Sequence, residues 1–203
     1  MKRLICTLLA LLTLCFALTS CGRQTATPDG IYTERHETTD TITNIVQIEL
    51  ENGGIIRIEL YPDIAPKTVA NFQKLVSEHF YDGLIFHRVI SGFMVQGGDP
   101  QGDGFGGSDE KIIGEFASNG IPNDLSHERG VVSMARSSVS NDSASSQFFI
   151  MHANKPHLDG DYAAFGRVIA GMETVDWIAA QATGENNKPL KDIVMKEVRF
   201  VTE

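Results

Sequence analysis

One segment, residues 86–99, determines how the rest of the chain is interpreted: Phe86-His87-Arg88-Val89-Ile90-Ser91-Gly92-Phe93-Met94-Val95-Gln96-Gly97-Gly98-Asp99. It brings an arginine, an aromatic ring, a methionine and a glutamine together on strand-like sequence that ends in paired glycines. It contains no nucleophile elbow, metal cage or phosphate-binding loop. The segment therefore indicates a hydrogen-bond donor placed beside an apolar slot.

A second segment further along the chain has a related character. It extends from Gly130-Val131-Val132-Ser133-Met134-Ala135-Arg136 to Ser146-Gln147-Phe148-Phe149-Ile150. In content and separation, the two segments resemble the signature motifs of the cyclophilin-type peptidyl-prolyl cis-trans isomerases, over roughly residues 45–203. The resemblance implies a mainly β fold, a closed eight-stranded antiparallel barrel capped by two helices. It also implies an enzyme that assists protein folding by accelerating rotation about X-Pro bonds.

The apolar pattern separately predicts many short strands and two helices. Residues 46–50 and 56–60 alternate between apolar and polar side chains around Glu51-Asn52-Gly53-Gly54, which favours a tight hairpin turn. Pro66 is placed to begin one helix, and residues 173–181 form a second. Short strands with two separated helices favour a closed antiparallel barrel capped by helices. Further strands are predicted at 84–90, 93–96, 131–135, 147–151, 163–168 and 193–201.

The composition excludes some classes of function. The chain has 203 residues, of which 42% are hydrophobic, enough for one domain with a real core. Its formal charge of −9 argues against a nucleic-acid-binding protein, which normally presents a basic patch. Without the first twenty residues, 15 basic and 26 acidic side chains give −11. Anionic lipid headgroups would therefore not attract the domain itself.

The first twenty residues are predicted to be a targeting signal. Lys2 and Arg3 precede an apolar run over 4–18 that is too short to span a bilayer. The run ends in Leu18-Thr19-Ser20-Cys21-Gly22, which resembles a bacterial lipoprotein signal box. We interpret 1–20 as a lipoprotein signal peptide, 21–44 as a lipidated Cys21 with a flexible tether, and 45–203 as the isomerase domain. The alternative is an ordinary secretory signal with an incidental cysteine.

This interpretation places the protein outside the cytoplasm, at the outer face of a bacterial membrane and most simply the cell membrane. The lipid on Cys21 would be its only membrane contact. It would also be a sufficient one, because two or more acyl chains give stable anchoring. Cys6 and Cys15 would be removed with the signal, so the mature chain could form no disulfide. The expected partners are proline-containing polypeptides and no nucleic acid, and a monomer is the default that the resemblance implies.

Arg88 is the residue most expected to carry catalysis. The resemblance implies that its guanidinium points at the substrate proline. An X-Pro bond resists rotation because the nitrogen lone pair is delocalised into the carbonyl, with a barrier of ~18–20 kcal/mol. A donor that bonds this nitrogen as it becomes pyramidal stabilises the twisted amide more than either planar isomer. An isolated strand arginine would otherwise indicate a surface ion pair.

The apolar residues near Arg88 match the proline pocket of the family. A pyrrolidine ring is apolar, so an aromatic and thioether surface binds it with little desolvation cost. Taken singly, each of these side chains would be interpreted as barrel core. Gln147 matches a position that bonds the substrate backbone, and Ala135 and Arg136 match the strand that pairs with the peptide main chain. The resemblance implies catalytic roles for Arg88 and Gln96, and substrate binding by Phe93, Met94, Ala135, Arg136, Gln147, Phe149, His157, Leu158 and Tyr162.

Several positions depart from the family pattern. Arg136 replaces a usual asparagine, His157 replaces a tryptophan found in many members, and Tyr162 stands where histidine or an aromatic is usual. We expect activity to survive, with a change in peptide preference from Arg136 and in cyclosporin affinity from His157. Phe105 is bulkier than the usual threonine. We expect it to narrow access for the residues that precede the substrate proline.

Other motifs and functions fit the sequence less well. Residues 102–107 formally satisfy G-x-G-x-x-G, but no amphipathic helix follows and Asp99 and Asp103 would repel phosphate. This loop fits no known calcium loop, and the histidines lack zinc-binding spacing, so we expect no metal and no cofactor. A non-catalytic proline-binding or chaperone module is the main alternative, which the presence of Arg88 disfavours. A solute-binding lipoprotein would need a longer chain, and no carboxylate pair indicates a hydrolase.

Overall fold

The computed structural model describes residues 30–202. The predicted signal peptide, Cys21 and the first part of the predicted tether lie outside the described residues. Within 30–202 the chain forms nine strands, two α-helices and three short 3₁₀ helices. None of the helices in this part of the chain has both the length and the apolar character needed to cross a bilayer.

The strands agree with the predicted pattern, and each strand predicted from the sequence is present. The first of the further strands is shorter than predicted, because Ile85 makes only an isolated bridge to Val194. The strands are β1 (Thr38–Thr39), β2 (Ile45–Leu50), β3 (Ile55–Leu60), β4 (Arg88–Ile90), β5 (Met94–Gly97), β6 (Val131–Met134), β7 (Phe148–Met151), β8 (Ala164–Ala170) and β9 (Met195–Val201). The helices are α1 (Pro66–Ser77) and α2 (Met172–Ala179), with 3₁₀ turns at Ala117–Asn119, Pro156–Leu158 and Glu185–Asn187.

All nine strands belong to one antiparallel sheet in the order β1-β9-β2-β3-β8-β6-β7-β5-β4. The prediction of a mainly β fold with two helices is confirmed. The closed eight-stranded barrel is not, because there are nine strands and the ladder stays open between β4 and β1. β1 pairs with only the last two residues of β9, Phe200 and Val201. At the start of β9, Met195 N donates to Leu84 O at 2.8 Å, but the chain before β4 forms only an isolated bridge there and no continuous ladder.

The β2–β3 hairpin forms at the predicted turn. Gly53 has a φ of +84°, a conformation that side chains rarely adopt, and Gly54 N donates to Asn52 Oδ1 at 3.0 Å. Val46 pairs with Ile58 and Ile48 with Ile56 across the two strands, and all four side chains are buried. The alternating pattern thus places one face of the hairpin in the core.

Both helices cover the sheet with the predicted apolar faces. Pro66 occupies the start of α1, and Lys67 N and Thr68 N donate to the buried carboxylate of Glu115 at 3.1 and 2.8 Å. This carboxylate satisfies amides that a helix start leaves unpaired. The buried residues of α1 include the apolar Val69, Phe72, Leu75 and Val76, and those of α2 include Val175, Ile178 and Ala179.

The core consists of a large and a small apolar cluster. In the large one, the Phe72 ring lies 5.1 Å from that of Tyr81, 5.5 Å from Phe148 and 5.2 Å from Phe165, centroid to centroid. Such aromatic pairs stabilise a core beyond the area they bury. The small cluster lies under the candidate site and consists of Met94, Val131, Phe149, Met151, Leu158 and Ala164.

Residues 30–44, here called the N-terminal strap, lie against the domain. Ile31 and Tyr32 are only 4% and 5% exposed, and Ile55 N donates to Tyr32 O at 2.7 Å. Tyr32 N also donates to Thr174 Oγ1 at 3.0 Å, at the start of α2. The prediction of a flexible tether is therefore wrong for residues 30–44, because these two side chains bury apolar surface against distant parts of the chain.

The strap also buries polar side chains on the outer face of the sheet. Gln47 and Glu49 alternate with core residues along β2, yet both are 4% exposed, and Arg57 on β3 is 8% exposed. The Arg57 guanidinium donates to Tyr32 Oη and to His36 Nε2. The strap thus supplies the hydrogen-bond partners that the buried guanidinium requires.

Candidate active site

The central side chains of the candidate site form a row across three strands. Arg88 on β4 pairs in register with Gln96 on β5, and Gln96 pairs with Phe149 on β7. Met94 lies two residues before Gln96 and therefore projects from the same face of β5. This row is built by the two segments that the sequence analysis singled out.

Glycines set the close approaches of strands around this row. Gly92 has a φ of +72° in the turn between β4 and β5, where Phe93 N donates to Ile90 O at 3.0 Å. A side chain at Gly98 would lie 2.4 Å from Ser146 O, so only glycine allows β5 to approach the segment before β7. The paired glycines at the end of the first segment therefore serve strand packing.

A chain of hydrogen bonds orients Arg88. Its Nη1 donates to Gln96 Oε1 at 3.1 Å, and Gln96 Nε2 donates to Gln147 Oε1 at 2.8 Å. Gln147 Nε2 in turn donates to the carbonyls of Gly104 and Gly106 at 3.0 and 2.8 Å. Each amide is fixed in one orientation, because its oxygen accepts and its nitrogen donates. Within residues 30–202, the Arg88 side chain makes no other hydrogen bond, so its remaining donors stay available to a ligand.

A groove of about 570 Å³ with an apolar floor opens beside Arg88. Met94, Phe149 and Leu158 are buried at its floor, and the Tyr162 ring meets the Phe149 ring edge-on at 5.8 Å. The Arg136 guanidinium lies 4.9 Å from the centroid of Tyr162, so its side chain forms a wall of the groove. Such a groove can hold a small apolar ring against aromatic and thioether surfaces.

The structure brings most of the predicted site residues together. Gln147 does not line the groove but bonds Gln96, and His157 is exposed beside it, with its ring centroid 6.4 Å from that of Phe93. The predicted residues that line the groove are Arg88, Phe93, Met94, Gln96, Ala135, Arg136, Phe149, Leu158 and Tyr162.

His127 is a buried histidine behind the groove that was not predicted from the sequence. The His127 ring stacks 6.1 Å from Phe149, with Nδ1 2.9 Å from Asp159 Oδ1 and Nε2 3.0 Å from Ser133 Oγ. A carboxylate only accepts, so Nδ1 carries the proton and Nε2 accepts from the serine. Burial lowers the pKa of His127 below its ordinary value of 6.5, although Asp159 acts in the opposite direction. No local pattern around His127 indicates this packing.

One end of the groove is polar and was also not predicted. It is lined by the loop 185–188 together with His87, Asp103 and neighbouring glycines. His87 is 4% exposed, and neither ring nitrogen has a partner within residues 30–202. Burial lowers the pKa of His87, although Asp99 acts in the opposite direction. A neutral imidazole therefore lies between the sheet and this end of the groove.

The glycine-rich loop 102–107 forms no dinucleotide site. Asp99 accepts from the main-chain nitrogens of Gln101, Asp103 and Gly104 at 2.9, 3.1 and 2.6 Å. Burial alone would raise the pKa of Asp99, but these three bonds outweigh it and lower the pKa. The carboxylate thus holds the loop itself. Between residues 30 and 202, no group of three or more His, Cys, Asp or Glu side chains could hold a metal ion.

The fold and groove together define a β-sheet protein that presents a fixed cationic donor beside an apolar slot. Comparison with known proteins gives this class its family. The model of the family "Cyclophilin type peptidyl-prolyl cis-trans isomerase/CLD" matches residues 45–200. The chain belongs to the cyclophilin-type peptidyl-prolyl cis-trans isomerases and is an isomerase of that type.

Individual relatives agree with this assignment. The chain is 47% identical to peptidyl-prolyl cis-trans isomerase B of Bacillus subtilis over 150 residues, which is 74% of this chain and 93% of the relative. It is 43% identical to human peptidyl-prolyl cis-trans isomerase-like 3 over 147 residues, 71% of this chain and 89% of the relative. A Cryptosporidium parvum cyclophilin, crystallised in the presence of the dipeptide Ala-Pro, superposes with a TM-score of 0.72 at 32% identity, covering 78% of this chain and 99% of that one.

Proposed function

We propose that this isomerase accelerates cis–trans exchange of X-Pro bonds in exported proteins and that Arg88 stabilises the twisted amide. One observation carries the proposal: Arg88 is fixed by Gln96 at the edge of the apolar groove and keeps its other donors free. Proline-containing polypeptides are the proposed substrates. The related cyclophilin crystallised with Ala-Pro supports this choice.

The proposed mechanism uses selective stabilisation of the transition state. At the twisted geometry the prolyl nitrogen becomes pyramidal and its lone pair accepts a hydrogen bond from Arg88. In either planar isomer this lone pair is delocalised and accepts poorly, so the bond lowers the barrier rather than only tightening binding. Each ~1.4 kcal/mol of such selective stabilisation gives a tenfold rate increase. Arginine suits the role because it remains protonated and its planar fork is rigid.

The groove would hold the proline ring during this rotation. Met94, Phe149 and Leu158 offer a surface without hydrogen-bonding groups, which matches a pyrrolidine ring. Ala135 N already donates to Gln147 O at 2.9 Å, so the Ala135 carbonyl is the main-chain group left to engage the peptide before its proline. Holding the ring while the preceding carbonyl rotates is sufficient for isomerisation, and no covalent step is required.

The proposed location is the outer face of a bacterial membrane, through a lipid on Cys21. Support comes from the charged start, the apolar run and the small residues before Cys21. Because the strap holds residues 30–44 on the domain, the tether would be at most residues 22–29. Its full extension would reach about 30 Å from the anchor. A monomer with no contact to nucleic acid completes the proposal.

The activity is tested with a protease-coupled isomerisation assay on an Ala-Pro peptide. The sample is the soluble chain from residue 22, which retains the strap. We expect strong acceleration that falls about 10²–10³-fold in Arg88→Ala, the usual effect of removing one transition-state donor. Arg167→Ala is the matched control, because Arg167 pairs with Glu128 outside the groove. A well-folded wild-type chain without acceleration would refute the proposed activity, and an active Arg88→Ala variant would refute the mechanism.

The location is tested separately on the full chain. We expect the wild-type protein in the membrane fraction, with a diacylglyceryl mass on Cys21, and Cys21→Ser in the soluble fraction. An unmodified, soluble wild-type protein would instead support the ordinary secretory signal.

A further inference from the structure

The polar end of the groove contains an unusual pair of asparagines. Asn186 and Asn187 line the groove, with Lys188 beside them, although they lie about a hundred residues from Arg88 in sequence. Both have positive φ, at 56° and 59°. Asparagine adopts this left-handed region more readily than other non-glycine residues, so the pair fits a tight turn of the loop.

Hydrogen bonds of the surrounding loop hold this pair in place. Gly184 N donates to Lys188 O at 2.8 Å, and Leu190 N donates to Ala182 O at 2.9 Å, so the loop is closed at its base. Lys188 Nζ donates to Gly102 O at 3.1 Å, which ties the loop to the glycine-rich loop 102–107 that also lines the groove. The asparagines are therefore presented by a fixed backbone.

The side-chain amides of these two residues are free. Nine asparagines lie within residues 30–202, and seven of them use their side chains in hydrogen bonds within the domain. Asn186 and Asn187 are the two that do not, and both are exposed. The bonded asparagines are Asn44, Asn52, Asn71, Asn119, Asn123, Asn141 and Asn154.

The order of the elements fixes which part of a substrate would reach this pair. Across the groove, Ala135 after β6 comes first, then β7, β5 and β4, and the loop 185–188 lies next to β4. The chain before the proline is assigned to Ala135, and the proline ring to the floor under β7 and β5. The chain beyond the proline must then leave over Arg88 toward Asn186 and Asn187.

We propose that Asn186 and Asn187 hydrogen-bond the main chain of the substrate beyond its proline. A carboxamide has both donors and an acceptor, which matches a peptide group whatever its side chain. Glu185, Lys188 and Asp103 nearby carry mixed charge, so the site selects for extended polypeptide rather than for a charged residue. This inference rests on the proposed function and makes the enzyme better suited to long chains than to short peptides.

The test compares two substrates in one series. The first peptide ends one residue after its proline, and the second continues for four residues after it. Catalysed exchange is measured by NMR with the predicted mature chain, residues 21–203, expressed without lipid. Two net hydrogen bonds predict that kcat/KM is about tenfold higher for the longer peptide, which corresponds to about 1.4 kcal/mol.

The decisive variant is Asn186→Gly combined with Asn187→Gly. Glycine adopts positive φ without strain, so the loop backbone is retained and only the amides are lost. We expect the ratio of kcat/KM between the two peptides to fall from about tenfold to below twofold. Asn52→Gly, which replaces an asparagine in the distant β2–β3 hairpin, is the control and should keep the wild-type ratio.

Three outcomes separate the inference from the function it extends. A variant that keeps the wild-type preference for the longer peptide overturns the inference alone. A wild-type enzyme that turns over both peptides equally well also overturns it. Failure to accelerate even the shorter peptide overturns the proposed function itself. Thermal unfolding of the double variant verifies that it is folded.

Discussion

Arg57 and Arg88 lie on the same sheet but in opposite surroundings. Arg57 is 8% exposed under the strap, and both of its terminal nitrogens bond to strap side chains, while its Nε is buried. Arg88 is half-buried at the groove and uses one donor, on Gln96. The first arginine is enclosed by its own chain, whereas the second is oriented but left open.

The different surroundings suit one arginine to stability and the other to catalysis. Enclosure lets Arg57 contribute to stability, because its hydrogen bonds are made inside the domain and are lost on unfolding. Arg88 is oriented but not enclosed, so its remaining donors can bond to the transition state because no protein group occupies them. The comparison predicts that changes under the strap alter stability and changes at the groove alter rate.

Removal of residues 1–44 should produce the largest effect and should fall on stability. Ile31 and Tyr32 leave their buried positions, and each such burial stabilises by about 1.5–3 kcal/mol. We expect the free energy of unfolding in urea to fall by about 3–6 kcal/mol, with kcat/KM per folded molecule retained. An unchanged urea midpoint would mean that the strap contributes nothing to the fold.

Gln96→Ala should lower the rate and leave stability nearly unchanged, the opposite of removing the strap. It removes the bond that orients Arg88, and a displacement of about 1 Å in a catalytic group can lower the rate about 10²-fold. We expect kcat to fall at least tenfold while the free energy of unfolding changes by less than about 1 kcal/mol. A Gln96→Ala variant with the wild-type kcat would show that the orientation of Arg88 does not depend on this contact.

The two buried histidines should make stability depend on pH. The pKa values of His87 and His127 are lowered by burial, so below the ordinary value of 6.5 the unfolded chain binds more protons than the native one. Stability is therefore fully present above pH 6.5 and falls as the pH is lowered, by up to about 1.4 kcal/mol per pH unit for each histidine.

The variant His127→Gln tests this dependence. It keeps a hydrogen-bonding side chain but cannot titrate, so the loss of unfolding free energy between pH 7 and 5 should become smaller. Urea unfolding at several pH values measures it. A slope equal to that of the wild type would show that His127 does not contribute.

Phe105→Thr should give the smallest effect. Phe105 is 91% exposed on the groove wall, so its removal costs little stability. We expect a severalfold increase in kcat/KM for peptides with a bulky residue two positions before the proline, and little change for small ones. Identical kinetics of the variant and the wild type across such a peptide set would show that Phe105 does not restrict the residues before the proline.

The groove could be predicted from the sequence because its central residues lie in two short segments. Arg88, Met94 and Gln96 share one β-hairpin, so strand alternation and pairing place them on the same face of the sheet. Phe149 follows from the second segment. Matching the two motifs therefore located Arg88 and most of the apolar lining of the groove, but not its polar end. The apolar periodicity identified both helices.

The strap, the buried histidine and the polar end of the groove depend on long-range contacts. Ile31 and Tyr32 are two apolar residues in a threonine-rich segment, and nothing local shows that they are buried or that the Tyr32 main chain bonds Thr174 and Ile55. His127 meets Asp159 across 32 residues of chain. The open sheet likewise depends on how the chain before β4 meets the start of β9, where Ile85 and Val194 form an isolated bridge instead of a continuous ladder.

Arg88→Ala and Arg57→Ala should be measured together, each for kcat/KM and for the free energy of unfolding, to separate the catalytic arginine from the stabilising one. We expect the two variants to lose different properties. Arg88→Ala should lose about 10²–10³-fold in kcat/KM with less than about 1 kcal/mol of stability, while Arg57→Ala should lose about 2–3 kcal/mol with kcat/KM within twofold. An Arg57→Ala variant as inactive as Arg88→Ala, or an Arg88→Ala variant with the wild-type rate, would contradict it.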